Sequence, residues 1–65
     1  MERLATPNEI ERRYGLAATW LEHMRRDTRR LGVQIGPVYR KIRGRVFYRP
    51  SDVERWVRFN ERVGA

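Results

Sequence analysis

The chain has no cysteine and a single histidine, His23. Without cysteine neither a disulfide framework nor a thiolate metal site can form, so packing alone must hold the fold together. A lone histidine argues against a metal centre, and no Ser/His/Asp arrangement can be named around a pocket that 65 residues could scarcely enclose. These absences favour a binding protein with no enzyme activity, no metal and no cofactor.

Long apolar runs are also missing. None approaches the ~18 residues of a membrane-spanning helix, and the N-terminus lacks the basic-then-apolar order of a secretory signal. We therefore expect a cytoplasmic protein with no membrane partner. We also expect no small-molecule ligand. At 65 residues the chain is one small domain, near the lower size limit for a core without covalent staples.

Positive charge is concentrated in the middle of the chain. Of the net charge of +7, residues 1–24 contribute −1, residues 25–49 contribute +8 and residues 50–65 contribute 0. Every basic residue except Lys41 is arginine, whose planar guanidinium matches phosphate oxygens and guanine edges bidentately. This pattern favours a nucleic-acid partner over a charge that serves only solubility.

A short first helix is predicted over about residues 7–14. Thr6 is its N-cap, Pro7 occupies the first helical position, and Glu9 completes a capping box. Gly15 supplies a left-handed stop. Only a tight turn then separates this helix from the next periodic run.

The second helix begins at Ala17 or Ala18, which makes the pair a helix-turn-helix. Its predicted inner stripe contains Trp20, Leu21, Met24, Thr28 and Leu31. Its opposite face contains Thr19, Glu22, His23, Arg26, Arg29 and Arg30. Small residues at its start would let this helix approach a DNA groove closely. The alternative is an ordinary helical hairpin whose polar face is solvated, with His23 solvated rather than in contact with DNA.

Residues 39–49 alternate apolar and basic side chains on both sides of a Gly-Arg tip, which predicts a two-stranded hairpin. With a tip of about three residues, the buried face would carry Ile42, Val46 and Tyr48. The exposed end would then carry a cluster of Lys41, Arg43 and Arg45. Such a finger suits a polyanion groove, although a merely solvated basic face is the alternative.

A connector over residues 31–37 precedes the hairpin, and we expect Val33 or Ile35 to lie under the helices. After the hairpin, Ser51 and Glu54 predict a second capping box and a third helix. Its inward positions are Val53, Trp56, Val57 and Asn60, and its outward positions are Arg55, Arg58 and Arg62. The last residues, Val63 to Ala65, are expected to fray.

This order of elements resembles the MerR-like winged-helix domain of phage excisionases and AlpA-type regulators. The segments that look like that family's wing and the start of its last helix are Lys41-Ile42, Arg45-Val46, Tyr48-Arg49 and Ser51 to Val57. Those that look like its opening helix and turn are Thr6 to Ile10 and Tyr14 to Leu16. The resemblance implies an α+β fold, a small winged helix-turn-helix with a two-stranded wing and a C-terminal helix, as one domain over residues 1–65.

The resemblance also implies an architectural DNA-binding protein that reads the major groove with helix 2, lays the wing along a minor groove and bends the site. The implied DNA contacts from helix 2 are Ala17, Ala18, Thr19, Glu22, His23, Arg26, Arg29 and Arg30. Those from the wing are Arg40, Lys41, Arg43, Gly44 and Arg45. The implied partners are double-stranded DNA in the nucleoid of a bacterial host, a phage integrase, and further copies bound cooperatively on DNA.

Two outputs remain open, because excisionases assist integrase in prophage excision whereas AlpA-type relatives control a promoter. The chain shows no long dimerisation helix of the MerR type, so we expect a monomer in free solution. It departs from the family at Ala17, which lacks a capping hydroxyl, at Gly44, about one position late, and at Phe47, often a basic residue there. Phe47 is expected in the core, with an exposed contact to sugar or protein as the alternative.

Two rival classes of partner can be weighed on the aromatic and apolar residues. An RNA-binding module would stack bases on aromatic side chains of an open sheet, but Trp20, Tyr48 and Trp56 fall at core-periodic positions. A membrane-surface helix would need an exposed apolar face, and helix 2 is expected to use that face in the core. Duplex DNA is therefore the favoured partner.

Overall fold

The computed structural model describes residues 2–61 and contains three helices and one two-stranded antiparallel sheet. The elements in order are α1 (Pro7–Tyr14), α2 (Ala18–Leu31), β1 (Tyr39–Ile42), β2 (Arg45–Tyr48) and α3 (Pro50–Asn60). The α+β class and the predicted order of elements are confirmed. The predictions for Arg62 and for Val63 to Ala65 lie outside the described residues. No described helix has the length and apolar character needed to cross a membrane.

The start and end of α1 are those that the sequence predicts. The Glu9 backbone N–H donates to the Thr6 hydroxyl at 3.2 Å, and the Thr6 N–H donates to the Glu9 carboxylate at 2.9 Å. That backbone hydrogen bond is the main reason why the pKa of Glu9 is lowered. Gly15 ends the helix with φ 75°, and its N–H donates to the Glu11 carbonyl.

The core lies where all three helices meet the second strand. Ile10 of α1, Leu21 of α2, Tyr48 of β2 and Val53 of α3 are each less than 2% exposed. Ala5 adds to this core from the N-terminal segment, because its backbone pairs with that of Tyr48 through N–H···O bonds of 2.8 and 2.7 Å. Strand β2 therefore lies between β1 and the N-terminal segment.

The inner stripe of α2 is shorter than predicted. Leu21 and Met24 are buried, but Trp20 is 46% exposed and Leu31 is also exposed. Leu31 is the last residue of α2, and Trp20 lies in its first turn. The Trp20 ring instead meets that of Trp56 on α3 edge-on, with centroids 5.9 Å apart.

The connector after α2 is fixed by Ile35 and not by Val33. The Ile35 N–H donates to the Thr28 hydroxyl at 2.9 Å, and that hydroxyl lies equally close to the Ile35 carbonyl. Ile35 packs against the core, whereas Val33 is 59% exposed. A side chain of α2 thus anchors the connector that leads into the hairpin.

The hairpin tip has two residues, and the three-residue prediction is wrong. Arg43 and Gly44 both have positive φ, 51° and 79°, as a type I′ turn requires. The register pairs are Tyr39 with Tyr48, Arg40 with Phe47, Lys41 with Val46 and Ile42 with Arg45. Because directly opposed residues share a face and the faces alternate along a strand, Ile42 lies on the side away from Val46 and Tyr48.

The predicted core position of Phe47 is also wrong. Val46 and Tyr39 lie on the inner face and pack against the core. Phe47 lies on the other face, where it is half-buried, and it does not pack against the core. We call this other side the outer hairpin face. Its four residues are Arg40, Ile42, Arg45 and Phe47.

The start of α3 is capped from elsewhere in the chain, so the predicted second capping box is wrong. The helix begins at Pro50, and its N-cap, Arg49, makes no side-chain capping bond. Ser51 lies within the first turn, where its hydroxyl and its N–H donate to the two carboxylate oxygens of Glu2, each at 2.7 Å. The hydroxyl bond is the main cause of the lowered pKa of Glu2. Glu54 accepts a hydrogen bond from the Tyr14 hydroxyl at 2.6 Å instead of closing a box.

Only the first half of α3 is buried. Val53 lies in the core and Trp56 packs against it, but the inward predictions for Val57 and Asn60 are wrong, because both are exposed. The helix extends past the end of its packing surface, and the Asn60 side-chain amide donates to the Trp56 carbonyl. Arg55 and Arg58 are exposed as predicted.

Candidate nucleic-acid interface

The polar face of α2 is fully presented to solvent. All six predicted residues are exposed, on the side opposite Leu21 and Met24: Thr19, Glu22, His23, Arg26, Arg29 and Arg30. At 3.6 residues per turn they cover an arc of roughly 120°. An α-helix fits the major groove of B-DNA, which is about 12 Å wide, so this arc has the shape and the side chains to contact base edges.

The first turn of α2 receives a cap that the sequence did not suggest. Ala17, the exposed N-cap residue, offers no side-chain oxygen, and the Ala18 N–H donates instead to the Glu11 carboxylate of α1 at 2.8 Å. A carboxylate at this point complements the helix dipole. It also occupies the position where a helix N-terminus would bind a phosphate. The predicted DNA contact at Ala17 and Ala18 would therefore depend on their small size, because this N–H already has a partner.

The basic residues of the hairpin are all exposed but do not form one cluster. Arg40 and Arg45 lie on the outer hairpin face, whereas Lys41 lies on the inner face opposite Val46. Arg43 and Gly44 form the tip itself. The predicted grouping of Lys41, Arg43 and Arg45 is thus divided between two faces and the turn, because the register differs by one residue from the expected one.

Few of these cations are neutralised within the molecule. Among residues 2–61 the ion pairs are Arg30 with Asp27 at 3.4 Å and Arg49 with Glu2 at 3.8 Å. Within the same residues no carboxylate comes within ion-pairing distance of Arg26, Arg29 or the four hairpin cations. Their charge is directed to solvent on two elements, where an anionic partner could reach it.

Arg25 joins the helix to the hairpin. Its Nη1 donates to the Tyr48 hydroxyl at 2.7 Å, and its guanidinium carbon lies 5.9 Å from the Tyr39 ring centroid and 5.8 Å from that of Tyr48. Burial raises the pKa of Tyr48, and the hydrogen bond from Arg25 opposes that rise. The half-buried Arg25 therefore fixes α2 relative to both strands. Sequence reasoning missed this role, although Arg25 lies on α2 between the apolar stripe and the polar face.

The comparisons with known proteins give no relative. The chain matches no family model. Neither the curated proteins nor the solved structures give a significant match. The case for a function therefore rests on the positions and the charges of the described residues.

Within residues 2–61 no three side chains of metal-ligating type come together. The clefts are open to solvent. One of them, of about 470 Å³, lies between the start of α2 and the second half of α3 and is lined by Leu16, Trp20, Trp56, Val57, Asn60 and Glu61. The helix face and the hairpin are the surfaces on which charge and exposure coincide.

Proposed function

We propose that the chain is a winged helix-turn-helix protein that binds duplex DNA, with α2 in the major groove and the hairpin as a wing on an adjacent minor groove. The observation that carries this proposal is the pair of exposed cationic surfaces that Arg25 and Tyr48 hold in one fixed arrangement. The three-residue turn at 15–17 between α1 and α2 agrees with a helix-turn-helix.

Within that class, the resemblance to excisionases favours an architectural role. We propose cooperative binding and bending of attachment-site DNA, which directs an integrase toward prophage excision. An AlpA-type promoter regulator would use the same two surfaces and is the alternative. Structured RNA fits less well, because the major groove of an A-form helix is too deep and narrow to admit side chains.

Binding to a duplex should depend steeply on salt. The +8 segment at residues 25–49 can meet about five phosphates, and each contributes about −0.9 to the slope of log K against log salt, so we expect a slope of roughly −4 to −5. Fluorescence anisotropy over a range of salt concentrations, with several unrelated duplexes and a structured RNA as competitors, measures it. A slope shallower than about −2, or equal affinity for all duplexes, would contradict the proposal.

Assembly on DNA distinguishes the two outputs. A single module of this size covers little DNA, since such modules bury only ~600–1,000 Å² of protein surface. We therefore expect a monomer in sedimentation and cooperative binding to a duplex with direct repeats, with gel mobility that indicates a bend. A stable dimer that occupies an inverted repeat without bending it would instead favour the promoter regulator.

A further inference from the structure

The outer hairpin face alternates charge and apolar surface in two directions. Along β1, Arg40 is followed on this face by Ile42, and along β2, Arg45 is followed by Phe47. Across the strands, Arg40 is opposite Phe47 and Ile42 is opposite Arg45. Each arginine therefore has one apolar neighbour directly across the hairpin, at the roughly 5 Å Cβ spacing of cross-strand pairs, and a second one two residues along its own strand.

The described core does not include the two apolar side chains of this face. The core uses the inner face, where Tyr48 is buried and Val46 packs against it. Ile42 is 47% exposed beside the tip. A polar residue at this position would leave every described core contact in place, so its apolar character calls for a separate reason.

A ligand that carries only negative charge would be served as well by an entirely basic face. The backbone of a nucleic acid is different, because it alternates anionic phosphates with sugars whose carbon-bound faces are largely apolar. Guanidinium groups bind the phosphates with charge-assisted hydrogen bonds. An isoleucine between them gains free energy when it removes apolar sugar surface from water.

We propose that the outer hairpin face binds the sugar–phosphate backbone beside the minor groove, with Arg40 and Arg45 on phosphates and Ile42 against deoxyribose. This inference rests on the proposed DNA-binding function and specifies the chemistry of its second contact. It also assigns Ile42 a part in selecting DNA over RNA. Ribose would place a 2′-hydroxyl in this contact, and an apolar neighbour would remove water from that hydroxyl without a replacement hydrogen bond.

The test is a graded truncation of Ile42. Ile42→Ala should weaken binding to duplex DNA about 50-fold, and Ile42→Val about fourfold, because three side-chain carbons or one are lost from the contact at ~0.8 kcal/mol each. The slope of log K against log salt should not change, since no phosphate contact is lost. The ratio of the affinity for duplex DNA to the affinity for RNA of the same sequence should fall.

The matched control is Val33→Ala, which also truncates an exposed aliphatic side chain but on the connector, away from the outer hairpin face. It should leave affinity, slope and the DNA preference unchanged. Circular dichroism and thermal denaturation test whether each variant is folded. If the alanine variant does not fold, the affinity of Ile42→Val for duplex DNA tests the inference.

Failure of this inference is distinct from failure of the proposed function. Unchanged affinity in both Ile42 variants, with binding still weakened when Arg43 and Arg45 are replaced by alanine, would overturn the sugar contact alone. A changed slope would also overturn it, because Ile42 would then act by positioning the arginines. If neither the Ile42 nor the arginine variants affect binding, the hairpin does not contact the DNA. The DNA-binding function itself is wrong if the unaltered protein binds no duplex.

Discussion

Replacement of Arg43 and Arg45 by alanine is expected to weaken binding to all duplexes by a similar factor. Two lost phosphate contacts make the slope of log K against log salt shallower by about 1.8, which corresponds to about 60-fold in affinity at roughly 0.1 M salt. The order of preference among duplexes should not change, because phosphate contacts position the protein and base contacts specify the sequence. Anisotropy titrations at several salt concentrations measure both quantities.

The charge-matched control is Arg55→Ala with Arg58→Ala, two exposed arginines of α3 that lie on neither proposed DNA surface. This pair removes the same net charge and should change the slope much less. Arg26→Ala is the complementary variant, since its position on the outer face of α2 predicts a change in which sequence is preferred. If the α3 pair weakens binding as much as the Arg43 and Arg45 pair does, the effect is one of overall charge and the hairpin has no direct contact with the DNA.

Tyr48→Ala is expected to remove most of the stability of the protein, whereas Phe47→Ala should leave it folded. Tyr48 is 1% exposed, and its hydroxyl accepts the hydrogen bond from Arg25. Truncation of a buried aromatic costs about 3–5 kcal/mol, and at ~0.05–0.15 kcal/mol per residue a domain of this length has only about 3–10 kcal/mol in total. Phe47 is half-buried on the outer hairpin face and contributes less.

Thermal and urea denaturation followed by circular dichroism compare these neighbouring aromatic residues directly. They differ by one position in β2, so the comparison tests the hairpin register as well as the core. A larger loss for Phe47→Ala would mean that the strand pairs one residue out of step from the observed register. The assignment of Ile42 to the outer hairpin face would then be wrong too.

The parts of the fold that follow from nearby residues were predictable, and α1 shows why. Its N-cap, its capping box and its terminal Gly15 all lie within ten residues, so the sequence pattern contains every partner. The polar face of α2 was predictable for a similar reason, since helical periodicity alone separates it from Leu21 and Met24.

The errors arise where the partner is distant in sequence. Ser51 has the spacing of a cap with Glu54, but the carboxylate of Glu2, 49 residues earlier, binds it instead. The cap of α2 comes from Glu11 in the preceding helix. Neither hydrogen bond can be predicted from the residues next to the helix start, because each depends on how distant parts of the chain pack against each other.

The hairpin register shows a different kind of limit. A two-residue tip and a three-residue tip give strand registers that differ by one position. That one position decides which face of the hairpin carries Ile42. The Arg-Gly pair at 43–44 lacks the Asn or Asp that usually marks a type I′ turn at its first position. The positive φ of Arg43 is therefore a property that composition did not reveal.

If the chain binds DNA as proposed, the contact of Arg25 with Tyr39 and Tyr48 has a consequence for the duplex. Because this contact ties α2 to the hairpin, a change in the distance between the two proposed DNA surfaces would have to break it. A duplex would instead have to bend or twist so that it reaches both surfaces. Sequences that deform easily, such as pyrimidine–purine steps between the two contacts, should then be preferred at positions that no side chain touches.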